Sequence, residues 1–250
     1  MKPDVQSLCA LHRAHMFSVP FENLDIHLGR PITLSLPLLF EKIVRNRRGG
    51  FCYELNGAFE WLLGQCGFQT RLLSAQVFHN EVPSPEFDHM LLLVELGGGD
   101  GPYIADVGFG DSFVDPLALS TTPQPQRDRA YRLLRSGERW TLQMRERDAR
   151  WRSQYAFCLT RRNLKDFESR CRFQQTSPQS SFTQKCFCSR AHSSGRVTIA
   201  GRRLITTADG QRRELPIRTA EEYNMLLQRR FSICLSLGEA SILFQKAPQA

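Results

Sequence analysis

The chain has 250 residues, 41% hydrophobic and 23% charged, enough to bury a substantial core as one large domain or two to three closely packed subdomains. Its 33 Lys and Arg against 25 Asp and Glu leave a net charge of +8; such a surface attracts polyanions or a phosphate-bearing cofactor, but no zinc finger, RRM signature or basic zipper accompanies it. No run of about 18 apolar residues exists to span a bilayer, and Met1 to Phe17 lacks the apolar stretch of a secretory signal, so a cytoplasmic protein with no membrane or nucleic-acid partner is expected. Over Pro3 to Met16, Val5, Leu8, Leu11, His12 and His15 fall at helical spacing, with Pro20 as the stop. Ser35 caps a second helix, with Pro37 in its first turn and Leu38, Phe40, Ile43 and Val44 turned inward, until Gly49-Gly50 breaks it. A third helix follows at once, where Cys52, Leu55, Phe59, Leu62, Leu63 and Cys66 form one apolar stripe ended by Gly67.

After Gly67 the period changes from helical to extended. Arg71 to Phe78 is a strand, followed by a Pro-rich loop over Val82 to Glu86. His89 to Leu96 and Tyr103 to Val107 are strands joined by the Gly97-Gly98-Gly99-Asp100-Gly101 turn. Tyr131 to Leu134, Arg139 to Met144 and Trp151 to Leu159 complete a small antiparallel sheet or barrel. Asn163 to Arg170 is a short helix and Thr176 to Phe182 a Ser/Pro-rich loop. Arg196 to Ile199, Arg203 to Thr206 and Glu214 to Ile217 are strands around the Ala208-Asp209-Gly210 turn. Thr219 with Glu222 makes a capping box for a last helix that buries Tyr223, Leu226, Leu227 and Phe231. The tail beyond Ser236 shows no firm pattern. The eight cysteines read as free thiols, most of them buried as small hydrophobes.

Cys52 carries the most information. It follows Arg48-Gly49-Gly50-Phe51 and opens a helix, where unpaired N–H groups and the helix dipole favour a thiolate. A buried thiol on an apolar stripe, the reading given to Cys66, fits its position equally well. His89 starts a strand and taken alone is a strand-edge histidine; Asp106, before Val107-Gly108-Phe109-Gly110, is taken alone a turn residue. The hairpin changes this. A strand beginning at His89 pairs with one ending at Asp106, so the two side chains can lie side by side, the carboxylate holding one ring nitrogen and leaving the other for a thiolate. For Arg48, pairing with a buried acid such as Glu22 is preferred over contact with a cofactor phosphate. Cys186, Cys188 and His192 are better explained as core strand positions than as metal ligands, and no metal is expected.

Pro20-Phe21-Glu22-Asn23-Leu24, Arg47-Arg48-Gly49-Gly50-Phe51-Cys52, His89-Met90-Leu91, Asp106-Val107-Gly108-Phe109-Gly110 and Thr176-Ser177-Pro178-Gln179-Ser180-Ser181-Phe182 occur in this order, and over Leu8 to Phe231 the chain resembles the arylamine N-acetyltransferases. The resemblance implies an α+β fold with a cysteine-protease/transglutaminase-like core: an N-terminal helical bundle carrying the nucleophile (1–67), a central antiparallel β-barrel carrying His and Asp (68–160) and a C-terminal α/β lid (161–250). It implies acetyl-CoA as donor and arylamines, arylhydroxylamines or hydrazines as acceptors, in a monomer. The family's catalytic residues fall on Cys52, His89 and Asp106, its acceptor-pocket residues on Phe109 and Asp88, and its coenzyme A contacts on Gly110, Phe173, Gln179 and Ser181.

Three departures from the family pattern stand out. A first N-terminal segment about a helix in length is lacking, which implies a less stable bundle. The interdomain insertion of mammalian members is lacking too, which implies a more open cofactor cleft. Phe173 and Gln179 stand where members often carry Tyr and a small Ser or Thr, which bears on coenzyme A affinity. Two rival functions use the same residues: a cysteine hydrolase or transglutaminase-like enzyme, and an inactive binding relic.

Overall fold

The computed structural model describes residues 2–97, 101–146 and 149–247. In chain order it runs α1 (Val5–Ser18), β1 (Phe21–Glu22), α2 (Leu24–Leu28), α3 (Leu36–Phe40) continued by a π-helical turn (Glu41–Arg45), and α4 (Cys52–Gln65). Next come β2 (Gln69–His79), β3 (Val82–Pro83), β4 (His89–Glu95), β5 (Pro102–Ala105), β6 (Leu117–Ala118), β7 (Gln124–Gln126), β8 (Arg129–Ser136), β9 (Arg139–Glu146) and β10 (Arg152–Cys158). A 3-10 turn (Leu164–Phe167), α5 (Glu168–Thr176) and α6 (Ser181–Gln184) lead to β11 (Phe187–His192), β12 (Gly195–Ala200), β13 (Arg203–Ala208), β14 (Gln211–Pro216), α7 (Ala220–Phe231) and α8 (Leu237–Lys246). Two compact units result, Met1–Ala14 with Cys52–Phe167 and His15–Phe51 with Glu168–Ala250.

The first unit is built on a nine-stranded antiparallel sheet in the order β6-β5-β4-β2-β10-β9-β8-β7, with β3 hairpinned onto β2. Apolar residues two apart on each strand supply its core: Leu73 and Ala75, Leu91 and Leu93, Tyr131 and Leu133, Trp140, Leu142 and Met144, Tyr155 and Phe157. β4 is buried on both faces, because α4 covers the side opposite that core, so its sequence is an unbroken apolar run rather than an alternation. The sheet is a nearly closed barrel whose two end strands are linked by glutamine amides. Gln124 Oε1 accepts from Ala118 N at 2.9 Å and its Nε2 donates to Ala118 O at 3.0 Å, while Gln126 serves Val114 and Asp115 in the same way.

The second unit has a five-stranded sheet, β1-β11-β12-β13-β14. Its core joins Leu24, Cys186, Cys188, Val197, Ile199 and Leu204 to Tyr223, Leu227 and Phe231 of α7 and Leu243 of α8. Burial pushes the Cys186 thiol up to about 12 and Cys188 well above its usual value. Both are neutral core residues.

Several sequence expectations are corrected here. Ile43 is buried as expected, but Leu38, Phe40 and Val44 are exposed and Leu39, one turn before Ile43, is the other inward residue; a π-helical turn then closes Asn46 N onto Glu41 O. Leu62 and Cys66 are only partly buried. Of the cysteines, Cys52, Cys171, Cys186 and Cys188 are buried, Cys9 and Cys66 intermediate, and Cys158 and Cys234 exposed, all free. The helix expected over Asn163 to Arg170 is a 3-10 turn that runs into α5, which reaches Thr176, and α6 occupies part of the expected Ser/Pro loop. At α7, Thr219 accepts from Glu222 N, but the Glu222 carboxylate bonds Arg218 N, so the box is half formed, and Leu226 is only partly buried. The tail is helical, with a full capping box between Ser236 and Glu239. Of the turn joining β4 and β5, Gly98, Gly99 and Asp100 lie outside the described residues.

Candidate active site

Cys52 is the first residue of α4 and 3% exposed. Unpaired N–H groups gather at a helix start, and the dipole there favours an anion. His89 is the first residue of β4; its Nε2 lies 2.7 Å from Asp106 Oδ2, with both side chains buried. This contact leaves Nδ1 as the ring nitrogen that can face another group.

The pair does not arise from strand register as the sequence suggested. The β4–β5 ladder begins at Leu92↔Ala105, so Asp106 lies one residue past its strand and reaches His89 across the open end. Other bonds hold it there. Its Oδ1 accepts from Asn56 Nδ2 at 2.9 Å and Gly108 N at 3.0 Å, and its own N–H donates to His12 Nε2 at 3.1 Å. Burial opposes the Asp106 charge, but His89 and the hydrogen bonds from His89, Asn56 and Gly108 outweigh it, holding the carboxyl below its usual range.

Asn56 ties this pair to the helix that Cys52 opens. It stands four residues after Cys52 on α4, hence on the same helix face. Its Nδ2 also donates to Met90 O at 2.6 Å, and its Oδ1 accepts from Val107 N at 3.0 Å. Gly108 completes the approach: a Cβ built there would lie 2.7 Å from Cys52 Cα. The loop after β5 thus rests on the first turn of α4 through a position with no room for a side chain.

The Phe109 ring meets His89 edge-on at 5.1 Å and Tyr155 at 5.0 Å. Burial, then the Asp106 charge, push the Tyr155 phenol well above its usual value, so a neutral aromatic wall flanks the imidazole. Gly110 has φ +91°, the left-handed region. Asp88 is buried, and its carbonyl accepts from Tyr53 Oη at 3.3 Å. Cys52, His89, Asp106, Asp88, Phe109 and Gly110 therefore all belong to the first unit. Phe173, Gln179 and Ser181 belong to the second: Phe173 lies under the Arg170 guanidinium at 4.2 Å, and Gln179 and Ser181 are exposed.

In the second unit, the segment leading to Cys52 is braced by buried charge. Arg48 Nη2 donates to Glu22 Oε1 at 2.8 Å and to Asp25 Oδ1 at 3.0 Å, and Lys42 Nζ lies 2.7 Å from Asp25 Oδ2. The expected Arg48–Glu22 pair is present, and Asp25 and Lys42 extend it. Sequence reasoning missed Asn56, Tyr155 and the contact of His12 with Asp106. The only local signal was a polar Asn in the middle of an apolar helix stripe.

The fold is α+β with a nearly closed barrel, and its first unit holds a buried imidazole–carboxylate pair and a thiol that opens a helix. Residues 4–240 match the N-acetyltransferase family model. The arylamine N-acetyltransferase of Mycolicibacterium smegmatis is 35% identical over 94% of this chain and 87% of its own, and human arylamine N-acetyltransferase 1 is 33% identical over 94% and 89%. The Mycobacterium marinum arylamine N-acetyltransferase in complex with CoA superposes with a TM-score of 0.90 at 30% identity, covering 98% of this chain and 94% of that one; the Salmonella typhimurium enzyme also gives 0.90, at 32% identity, covering 97% and 92%. The chain belongs to the arylamine N-acetyltransferase family, whose members are acyltransferases. Among the described residues, no helix is long and apolar enough to cross a membrane.

Proposed function

We propose that this protein moves an acetyl group from acetyl-CoA to the nitrogen or oxygen of arylamines, arylhydroxylamines and hydrazines through an acetyl-Cys52 intermediate. The observation that carries this reading is the buried His89–Asp106 contact at 2.7 Å, joined through Asn56 to the helix that Cys52 opens. The reacting forms in this scheme are the Cys52 thiolate and the His89 imidazolium. The Cys52 sulfur bonds the acetyl carbon of the donor thioester as the donor's C–S bond breaks, with backbone N–H groups near Cys52 holding the oxyanion. His89 gives its proton to the departing thiolate. In the second half-reaction the amine nitrogen bonds the acetyl carbon, the Cys52 S–C bond breaks, and His89 takes the amine proton, restoring the starting pair.

Coenzyme A as donor is supported by the CoA complex of the Mycobacterium marinum relative. The residues present suit it. Gly110 leaves main chain open at a left-handed turn, and Gln179 and Ser181 offer exposed polar groups, whereas Phe173 has no hydroxyl to give. Phe109 and Asp88 beside His89 are the proposed acceptor contacts. Incubation with acetyl-CoA alone should add one acetyl group, mapped by peptide mass to Cys52. His89→Ala should lower turnover by about 10²–10⁴-fold, the usual worth of a general base. A Cys52→Ala protein that acetylated an aniline at the natural rate would end the scheme, and peptide cleavage with no acetyl adduct would favour the hydrolase instead.

A further inference from the structure

One buried histidine takes no part in the reaction just described, yet it touches the chain at two ends of the loop that the reaction uses. His12, on α1, is 0% exposed. Its Nδ1 lies 2.7 Å from Val114 O, and its Nε2 lies 3.1 Å from Asp106 N. The ring is held between Phe113, stacked at 5.7 Å, and Phe59, edge-on at 5.8 Å. The next residue adds an ion pair, Arg13 Nη2 to Asp115 Oδ2 at 2.7 Å. One turn of α1 therefore grips both ends of the Asp106–Asp115 loop, which carries Asp106, Phe109 and Gly110.

The partners fix the state of the ring. A carbonyl oxygen only accepts and a backbone N–H only donates, so Nδ1 carries the proton and Nε2 carries a lone pair. The imidazole is neutral, and it fills a gap that needs one donor and one acceptor at a short fixed separation. Burial agrees, holding the His12 pKa below its ordinary value against the nearby Asp106 and Asp115 carboxylates. Asp106 stands beyond the last ladder pair of β5, so its N–H has no strand partner and His12 takes that place.

We infer that His12 is a positioning residue for the acyl transfer, its neutral ring closing the Asp106–Val114 loop so that the Asp106 carboxylate meets His89. The inference rests on the triad reading above. Residues that orient a metal-ligating imidazole from behind are commonly worth about 10- to 100-fold in activity, and the same scale is expected for His12.

The test compares His12→Phe, which keeps the aromatic stack and loses both hydrogen bonds, with His12→Gln, whose amide again offers one donor and one acceptor, and with Asp106→Asn. For each, turnover of acetyl-CoA with an aniline, the pH profile of Cys52 alkylation by iodoacetamide and the melting temperature are measured. In His12→Phe, kcat should fall about 10- to 100-fold with KM little changed, and the Cys52 alkylation profile should move to higher pH; His12→Gln should recover most of both. A purely structural role would lower the melting temperature and leave that profile in place, and this result overturns the inference if Asp106→Asn is inactive. An active Asp106→Asn protein overturns the triad reading, and the inference with it. Should His12→Phe fail to fold, nitrogen-15 NMR of the unaltered protein decides. A neutral, Nδ1-protonated His12 near pH 7, assigned by its absence in His12→Gln, supports the inference, and a protonated Nε2 refutes it.

Discussion

Adding one methyl group at Gly108 puts the contact between the β5 loop and α4 to the test. A Cβ there would fall 2.7 Å from Cys52 Cα, 2.7 Å from Asn56 Nδ2 and 3.0 Å from Cys52 O, whereas carbon atoms at rest stand about 3.5–4.0 Å apart. Two of these three atoms are main chain at the start of a helix and cannot rotate aside. The loop must therefore retreat by about 0.8 Å, the shortfall against the resting contact. It would carry with it Gly108 N, which donates to Asp106 Oδ1. Overpacking of this kind costs about 1–3 kcal/mol, which for a chain of this size is about 2–12 °C in Tm. A misplacement of about 1 Å among reacting groups costs about 10²-fold in rate, so Gly108→Ala should lose far more activity than stability. Gly64→Ala is the control: it lies in the same helix, nothing sits within 4 Å of its added methyl, and removing a helical glycine should stabilise by about 0.5–1 kcal/mol. Both variants are melted, and both are assayed for thiol release from acetyl-CoA in the presence of an aniline. A Gly108→Ala enzyme within twofold of the natural rate would refute the reasoning.

Arg48→Leu should leave Glu22, 0% exposed, and Asp25 without their guanidinium, a loss of about 3–5 kcal/mol read as a collapse of soluble yield or of the urea midpoint. Thermal stability should fall as pH drops below 6.5. The folded pKa of His12 is lowered from 6.5 and that of Asp106 from 3.8, so in each window the unfolded chain binds more protons. The His12 contribution is whole above pH 6.5 and is lost as pH falls through its lower folded value; the Asp106 contribution is whole above 3.8 and is lost further down. Melting curves of His12→Gln should lack the first part of that slope, leaving the share of His27, which burial also lowers; an unchanged slope would contradict the assignment. Gln124→Ala removes both amide bonds to Ala118 and should cost about 1–3 kcal/mol, seen as a lower melting temperature and faster amide exchange at Ala118.

How far the sequence revealed these features depended on how local each one was. The helix after Gly50 and the strand at His89 were legible because an apolar stripe and an unbroken apolar run lie within single segments. The Arg48–Glu22 pair could be read because arginine is the cation best suited to a buried ion pair. The face of α3 was misread because its inward stripe is only Leu39 and Ile43, set among exposed apolar neighbours at Leu36, Leu38, Phe40 and Val44, and five-residue α2 is too short to show a period. Ser236 and Glu239 did carry a capping signal, hidden by Gly238 in the first turn that follows. The manner in which Asp106 reaches His89 could not be read from hairpin spacing, since its bonds come from Asn56 and from His12, 50 and 94 residues away.

The glutamine link at the barrel's ends has a further consequence. A sheet that ends in open strands offers unused N–H and C=O groups to any passing chain, and proteins need some means of refusing that contact. Here Gln124 and Gln126 satisfy Val114, Asp115 and Ala118 from within the same molecule, and Pro125 between them has no N–H to lend. β14, the outer strand of the other sheet, lies fully exposed and guards itself differently, with Arg212, Arg213, Glu214 and a terminal Pro216. The chain thus defends its two sheets against self-association by separate means, occupancy in one and charge in the other.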